Sequence, residues 1–368
     1  MATSIIPGAY VRIAEPHEYA EVAWILTRGF ARDPCMNWLG SVREMIPDYK
    51  DQPDYDSHPA SAKKILKNLF IFQSALVKAT SLCGGFVTVA IIPPQRKEDK
   101  EILAATTLWL KPKQPLELSL SVIVKSKFWK ILLGWGFTGA KRIQLDFSPI
   151  VETILKKRFK ARNADVLDSW YLLEVATDPA YDGKGLCSLL MKDGLGRTSP
   201  KPIHLEASTS RTRDIYSHFG FEIEEECWFG KGSVDVNGLA AKGKAATGYP
   251  EWIMTKHKKL AAFAEETCFR RPRHVSLLDS PVSHPTLVEM TNMIILAEFY
   301  KPKSNYVKHA NSGVDDCLSD EFSGDRSFSS ALARLYTPIF WAGVSQLLAQ
   351  LCLDSIQDKL SAPSHKRK

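Results

Sequence analysis

The chain has 368 residues, 45% hydrophobic and 24% charged, enough to bury a large core as one domain with an extension or as two domains. A net charge of +7, from 48 basic and 41 acidic residues, suits an anionic ligand and lacks the concentrated basic stripe of a nucleic-acid binder. Seven cysteines, at positions 35, 83, 187, 227, 268, 317 and 352, are scattered and form no Cys-x-x-Cys pair; they argue against a disulfide framework or zinc site and for a reducing, cytoplasmic compartment.

No basic segment followed by a long apolar one stands at the N-terminus, so no secretory signal is expected. Tyr10 to Ala14 reads as a first strand. Glu15 to Ala31 reads as a helix, with Tyr19, Val22, Ala23, Ile25 and Leu26 at helical spacing and a stop before Asp33-Pro34. Pro47 to Pro59 is polar and turn-rich, and Ala60 to Lys78 reads as a second helix. Phe86 to Ile92 and Glu101 to Leu110 read as an antiparallel hairpin across the charged loop Pro93 to Lys100. A largely helical insertion follows over 111–165; its Trp129, Trp135 and Phe137 either cover a substrate site or serve plain packing. Phe128 to Ala140 is too short to span a membrane.

Leu172 to Thr177 reads as a strand stopped by Asp178-Pro179, because proline lacks a ladder donor and restricts the residue before it. Gly183 and Gly185 then form a tight turn ahead of a helix with Leu186, Leu189 and Leu190 at helical spacing. Unpaired N–H groups and the positive dipole end at such a helix start hold phosphate well, and Lys184 adds charge there. Pro202 to Ser208 reads as a strand, Asp214 to Phe221 as a helix ended by Gly220, and Phe221 to Trp228 as a further strand. Gly230 to Gly248 reads as a mobile loop, and Tyr249 to Met254 as the closing strand.

The first 260 residues form one domain, and 261–368 a helical, partly disordered extension. Ser304 to Ser330 is rich in Ser, Asp and Gly and reads as poorly ordered. Ala331 to Leu353 reads as a packed or amphipathic helix, with a membrane-surface role as the second reading; its apolar run is broken by Arg334, Pro338, Gln346 and Gln350, so no transmembrane segment is expected. His365 to Lys368 is a solvated tail, with nuclear targeting as a second reading.

The order strand, Pro, Gly-x-Gly, helix, strand, helix with Tyr216, then Gly220-Phe221 resembles the GNAT superfamily of acetyl-CoA-dependent N-acetyltransferases. Leu205-Glu206-Ala207-Ser208 and Pro250-x-Trp252-x-Met254 resemble its fungal small-molecule members. The resemblance implies an α/β (α+β) fold, a central, mostly antiparallel mixed sheet flanked by helices, with acetyl-CoA as co-substrate and no metal. It implies that Tyr216 protonates the leaving thiolate and that main-chain N–H groups of Val175 and Thr177 contact thioester and pantetheine. Gly183, Lys184, Gly185, Leu186, Cys187 and Ser188 would hold the diphosphate. Phe30 to Leu39 would line the acceptor pocket, made apolar by Phe30, Met36 and Trp38. In two places the chain departs from the family: Asp182 stands where Gln or Arg is usual, and Cys187 where Gly or Ala is usual. An acid at position 182 must point away from a diphosphate.

An amine attacking a thioester needs a proton acceptor, an oxyanion stabiliser and a proton donor for the thiolate. Glu174 and Glu206, carboxylates inside apolar strands, are the candidate bases, with a water relay as a third route. His204 and His218 read as structural. A covalent route through Cys187 is set aside because the phosphates would occupy its place, leaving direct transfer in a ternary complex. The aromatic pocket and the lack of an acidic groove favour a small amine metabolite; a protein acceptor and a non-catalytic CoA-binding protein are the rivals. The oligomeric state is left open.

Overall fold

Runs of β-branched and aromatic residues build a seven-stranded sheet from β1 (Tyr10–Ile13), β2 (Phe86–Ile92), β3 (Ile102–Leu110), β4 (Trp170–Thr177), β5 (Ile203–Ala207), β6 (Glu222–Phe229) and β7 (Tyr249–Lys256). A computed structural model describes residues 6–96 and 98–257, so the extension beyond 261 expected above lies outside the described residues. The strand order is β1-β2-β3-β4-β5-β7-β6, and β4 with β5 is the one parallel pairing in this sheet.

Helices α1 (Tyr19–Gly29), α2 (Pro34–Leu39) and α3 (Ala60–Leu82) precede β2. The insertion carries α4 (Leu120–Ser126), α5 (Ile131–Gly134), α6 (Gly136–Lys141) and α7 (Ser148–Ala161), with a π-helical turn at Arg142–Phe147. Helix α8 (Leu186–Thr198) links β4 to β5, and α9 (Ser210–His218) links β5 to β6.

Strand alternation sorts the core into two layers. Val87, Val89, Ile91, Leu108, Ala176, Tyr249 and Ile253 face α1, α3 and α7, where they meet Val22, Ile25, Leu69, Phe72 and Phe159. Trp109, Leu172, Ile203, Leu205, Trp252 and Met254 face the other way, onto Met191 of α8 and Tyr216 of α9. Trp109 is fully buried, and a Cβ at Gly194 in the middle of α8 would collide with its indole. A mid-helix glycine costs about 1 kcal/mol in propensity; here it lets α8 lie directly on the ring.

The expected element order holds, and the boundaries move for local reasons. Helix α3 runs four residues beyond Lys78. Helix α9 starts at Ser210 rather than Asp214, because Thr209 and Thr212 form a reciprocal capping box. The stretch 230–248, expected to be mobile, is instead tied down. Val234 bridges Ala240, Ala240 donates to Val42 O at 2.9 Å and Gly248 to Val234 O at 2.8 Å, and Val234 is buried in the core.

Candidate active site

Strands β4 and β5 share two paired positions, Trp170 with Ile203 and Tyr171 with His204, and then part. Asp178 donates its N–H to Ala104 O of β3 at 2.9 Å. Main-chain direction alternates along an antiparallel strand, so the Ala176 amide points at β3 while those of Val175 and Thr177 point into the gap. Opposite β3, Leu108 faces Glu174 and Trp109 faces Leu172, which leaves Leu173 as a bulged residue. The extra residue turns Glu174 onto the α1 and α3 face.

After Asp178-Pro179 the chain reaches the glycine turn, with φ of +75° at Gly183 and +81° at Gly185. Both values lie in the left-handed region where a Cβ is disfavoured. A Cβ at Gly183 would meet nothing within 4 Å, so the turn faces open space. The first α8 bond runs from Leu189 N–H to Gly185 O at 3.0 Å. The N–H groups of Leu186, Cys187 and Ser188 have no acceptor among the described residues, and together with the helix dipole they fit a diphosphate.

Asp182 does not oppose that fit. Lys50 Nζ reaches its carboxylate at 2.8 Å and Arg211 Nη2 at 3.1 Å. Burial works against ionisation, but these hydrogen bonds outweigh it and hold the carboxyl below its ordinary value. Lys184 Nζ lies 5.0 Å over the Tyr181 ring, so three cations surround the turn.

Tyr216 is 8% exposed, and its hydroxyl makes no hydrogen bond among the described residues. Burial, reinforced by Cys187, Asp33, Glu206 and Glu174 nearby, raises its pKa, so the phenol stays protonated. Tyr216 packs in the core layer that also holds Val175 of β4 and Cys187 of α8.

Glu174 is 6% exposed; Gln73 Nε2 of α3 donates to its Oε1 at 3.0 Å, and its Oε2 has no partner among the described residues. Burial pushes its pKa up to about 8. Tyr171 Oη donates to Glu206 Oε2 at 2.7 Å, Glu206 Oε1 is unpartnered, and burial pushes this carboxyl up to about 7. Glu174 and Glu206 thus share the α1 and α3 face of the sheet, and Tyr216 lies on the α8 and α9 face.

Two further carboxyls join them. Asp33 caps α2 and accepts from Ser208 Oγ, and burial raises its pKa. Glu251 is 3% exposed on β7, its Oε2 without a partner, and burial raises it strongly, helped by Asp33 and Glu206. Sequence reasoning took Asp33 as a helix stop and passed over Glu251. The signal for Glu251 was the one that flagged Glu206: an acid at an inward position of an apolar strand, here between Tyr249 and Ile253.

These carboxyls correct the expectation of an apolar pocket without acidic groups. Trp38, at 3% exposure, packs on Phe229 and Tyr249 as core, and Trp135 stacks on Phe72 at 4.7 Å. Cys187 is no activated thiol, because burial pushes it up to about 11. Burial drives His204 down to about 3; its Nδ1 lies 2.8 Å from Ser169 Oγ and its ring stacks on Tyr171, a structural arrangement. His218 is exposed beside Phe219. A surface cleft of about 500 Å³ between Trp38, Trp228, Phe229 and the insertion holds neither Tyr216 nor any of the four carboxyls.

Raised carboxyl pKa values set the sign of a stability change with pH. Folding keeps Glu174 protonated from its ordinary 4.5 up to about 8, and Glu206 from 4.5 up to about 7. The folded state therefore binds more protons than the unfolded one across that window, and stability present below it is lost as pH rises. Each excess proton removes about 1.4 kcal/mol per pH unit. His204, which burial keeps neutral from its ordinary 6.5 down to about 3, works the other way below pH 6.5, so thermal melts should show Tm falling between pH 6.5 and pH 8, and a flat or rising profile there would contradict the burial described.

No protein-family model matches the sequence. The chain is 28% identical over 127 residues to an uncharacterized N-acetyltransferase of Schizosaccharomyces pombe, a match covering 34% of this chain and 50% of the relative. The chain resembles the GNAT N-acetyltransferases. It spans about half the length of that curated relative. Among solved structures it is similar to the histone acetyltransferase HPA2 and related acetyltransferase of Corynebacterium glutamicum, at 19% identity, covering 69% of this chain and 98% of the other, with a TM-score of 0.34. It is similar also to arylalkylamine N-acetyltransferase 2 of Aedes aegypti, at 16% identity, 68% and 99% coverage and a TM-score of 0.38. Among the described residues no helix is long and apolar enough to cross a membrane.

Proposed function

We propose that this GNAT-like protein transfers the acetyl group of acetyl-CoA to the amine of a small molecule, by direct attack with both substrates bound. The observation that carries the reading is the parting of β4 from β5 after two residues, which leaves the Val175 and Thr177 amides facing a gap. An unsatisfied buried amide costs about 1–3 kcal/mol, so a ligand that takes those bonds is favoured. The pantetheine and thioester carbonyl take these amides, and the diphosphate takes those of Leu186, Cys187 and Ser188, with Gly183 and Gly185 giving close approach and Lys184 adding charge.

In the reaction the amine nitrogen bonds to the carbonyl carbon as the carbon–sulfur bond breaks; the amine loses one proton and the sulfur takes one. Glu174 Oε2, without a hydrogen-bond partner among the described residues, accepts the amine proton directly or through a water. Glu206 is the second candidate, with its other oxygen held by Tyr171. Tyr216 donates to the sulfur and is reprotonated from solvent. Amides, cations and phenol lie with α8 and α9, whereas Glu174 and Glu206 lie on the other face, so coenzyme and amine meet in the gap from opposite sides.

Calorimetric titration with acetyl-CoA, paired with amine-dependent thiol release, tests the reading. The wild-type chain should bind the coenzyme. Gly183→Ala, forced to keep a φ of +75° and to aim a methyl at the open turn, should bind about tenfold more weakly. Absence of coenzyme affinity would sink the proposal, and turnover of peptide amines in preference to small ones would reassign the acceptor.

A further inference from the structure

Glu206 of β5 pairs across the ladder with Ile253 of β7, two residues from Glu251, and Ser208, two residues after Glu206, donates to Asp33, the cap of α2. Glu174 of β4 lies on the same sheet face, bonded to Gln73 of α3. Glu174 and Glu251 are more than nine-tenths buried, and each has an oxygen without a hydrogen-bond partner among the described residues. None of the four forms a salt bridge among the described residues. Elsewhere buried acids are matched: Asp178 pairs with Arg28 at 2.7 Å and Glu224 with Arg162 at 2.7 Å. Unmatched carboxyls in the gap are costly unless neutral or met by a cation from outside.

The form of that cation follows from the layout. No group of three or more His, Cys, Asp or Glu side chains among the described residues is arranged to hold a metal ion. The carboxyls are spread over separate elements, which suits cationic groups spaced along a chain rather than one point charge. Glu174 serves the amine that reacts, and an arylalkyl monoamine would leave Glu251 and Asp33 unmatched.

We propose that the acceptor is a diamine or polyamine, with Glu251, Asp33 and Glu206 binding the ammonium that is not acetylated. The inference rests on the acetyltransferase reading above and specifies its substrate class. Cationic donors to carboxylates form the stronger class of hydrogen bond, so a second ammonium gives discrimination that chain length alone does not.

The test compares 1,4-diaminobutane with butylamine at equal acetyl-CoA on the full chain, in wild type and Glu251→Gln. The diamine should show a kcat/KM about ten- to a hundredfold above that of butylamine, and Glu251→Gln should cut this ratio about tenfold. A wild-type ratio near one, or a ratio untouched by the substitution, overturns the proposal while leaving the acetyltransferase reading intact. Should neither amine be acetylated although the coenzyme binds, that reading fails instead. Calorimetric binding of 1,4-diaminobutane then decides the subsite, with binding weakened by Glu251→Gln supporting it and no binding overturning it. Thermal melts check folding, and Asp33→Asn, which keeps a residue competent to cap α2, provides a second variant for the same ratio.

Discussion

Tyr216→Phe lowers kcat about a hundredfold or more, with acetyl-CoA affinity nearly unchanged, because the variant deletes the proton donor and nothing else. The ring of Tyr216 packs 6.0 Å from Phe221 inside the layer that holds Leu172 and Met191, and a phenylalanine keeps that packing. Its hydroxyl makes no hydrogen bond among the described residues, so removing it strands no buried partner. A core aromatic without chemistry would give the opposite result, full turnover in the variant. Steady-state kinetics with calorimetric binding separates the two, and unchanged kcat would remove Tyr216 from the mechanism.

Glu174→Gln is expected to cost about a hundredfold in rate and to abolish a limb of the pH profile. In the wild type the carboxyl must be ionised to accept a proton, so kcat/KM should rise with pH and level off above about 8. The substitution is mild for the fold: Gln73 Oε1 is buried without a partner, and the new amide offers it a donor. It also removes one of the groups whose ionisation destabilises the protein at high pH, so the fall in Tm between pH 6.5 and pH 8 should become shallower. A limb that bends near 7 and vanishes in Glu206→Gln, with Glu174→Gln active, would assign the base to Glu206 instead.

Much of the fold was legible because its signals are local. Asp178-Pro179 marks the end of β4, Gly183 and Gly185 mark the turn, and Gly220 the end of α9, each through a backbone restriction that acts within a few residues. The capping box at Thr209 was equally local and was missed because two threonines stand in for the usual Ser/Thr and Glu/Gln pair. The bulge at Leu173 was not legible, since it arises from register against β3, and with it the face of Glu174 stayed open. Neither was the carboxyl cluster. Asp33 and Glu251 stand far apart in sequence; the sheet order that puts β7 beside β5 brings Glu251 towards Glu206, and the bond from Ser208 draws in Asp33. The stretch 230–248 has loop composition, but composition does not reveal that Val42 will accept a bond from Ala240.

Asp182 bears on how such turns are recognised in other chains. What a diphosphate senses is the summed field of the neighbourhood, and here an anion sits at the place where the usual motif carries Gln or Arg. Lys50, 132 positions upstream, and Arg211, 29 positions downstream, more than compensate it. A filter that demands the consensus letter at that place would discard this protein, although the electropositive character it screens for is present, delivered by long-range partners. Such turns are better sought by asking whether any segment can carry a counter-charge to them than by the spelling of the turn itself.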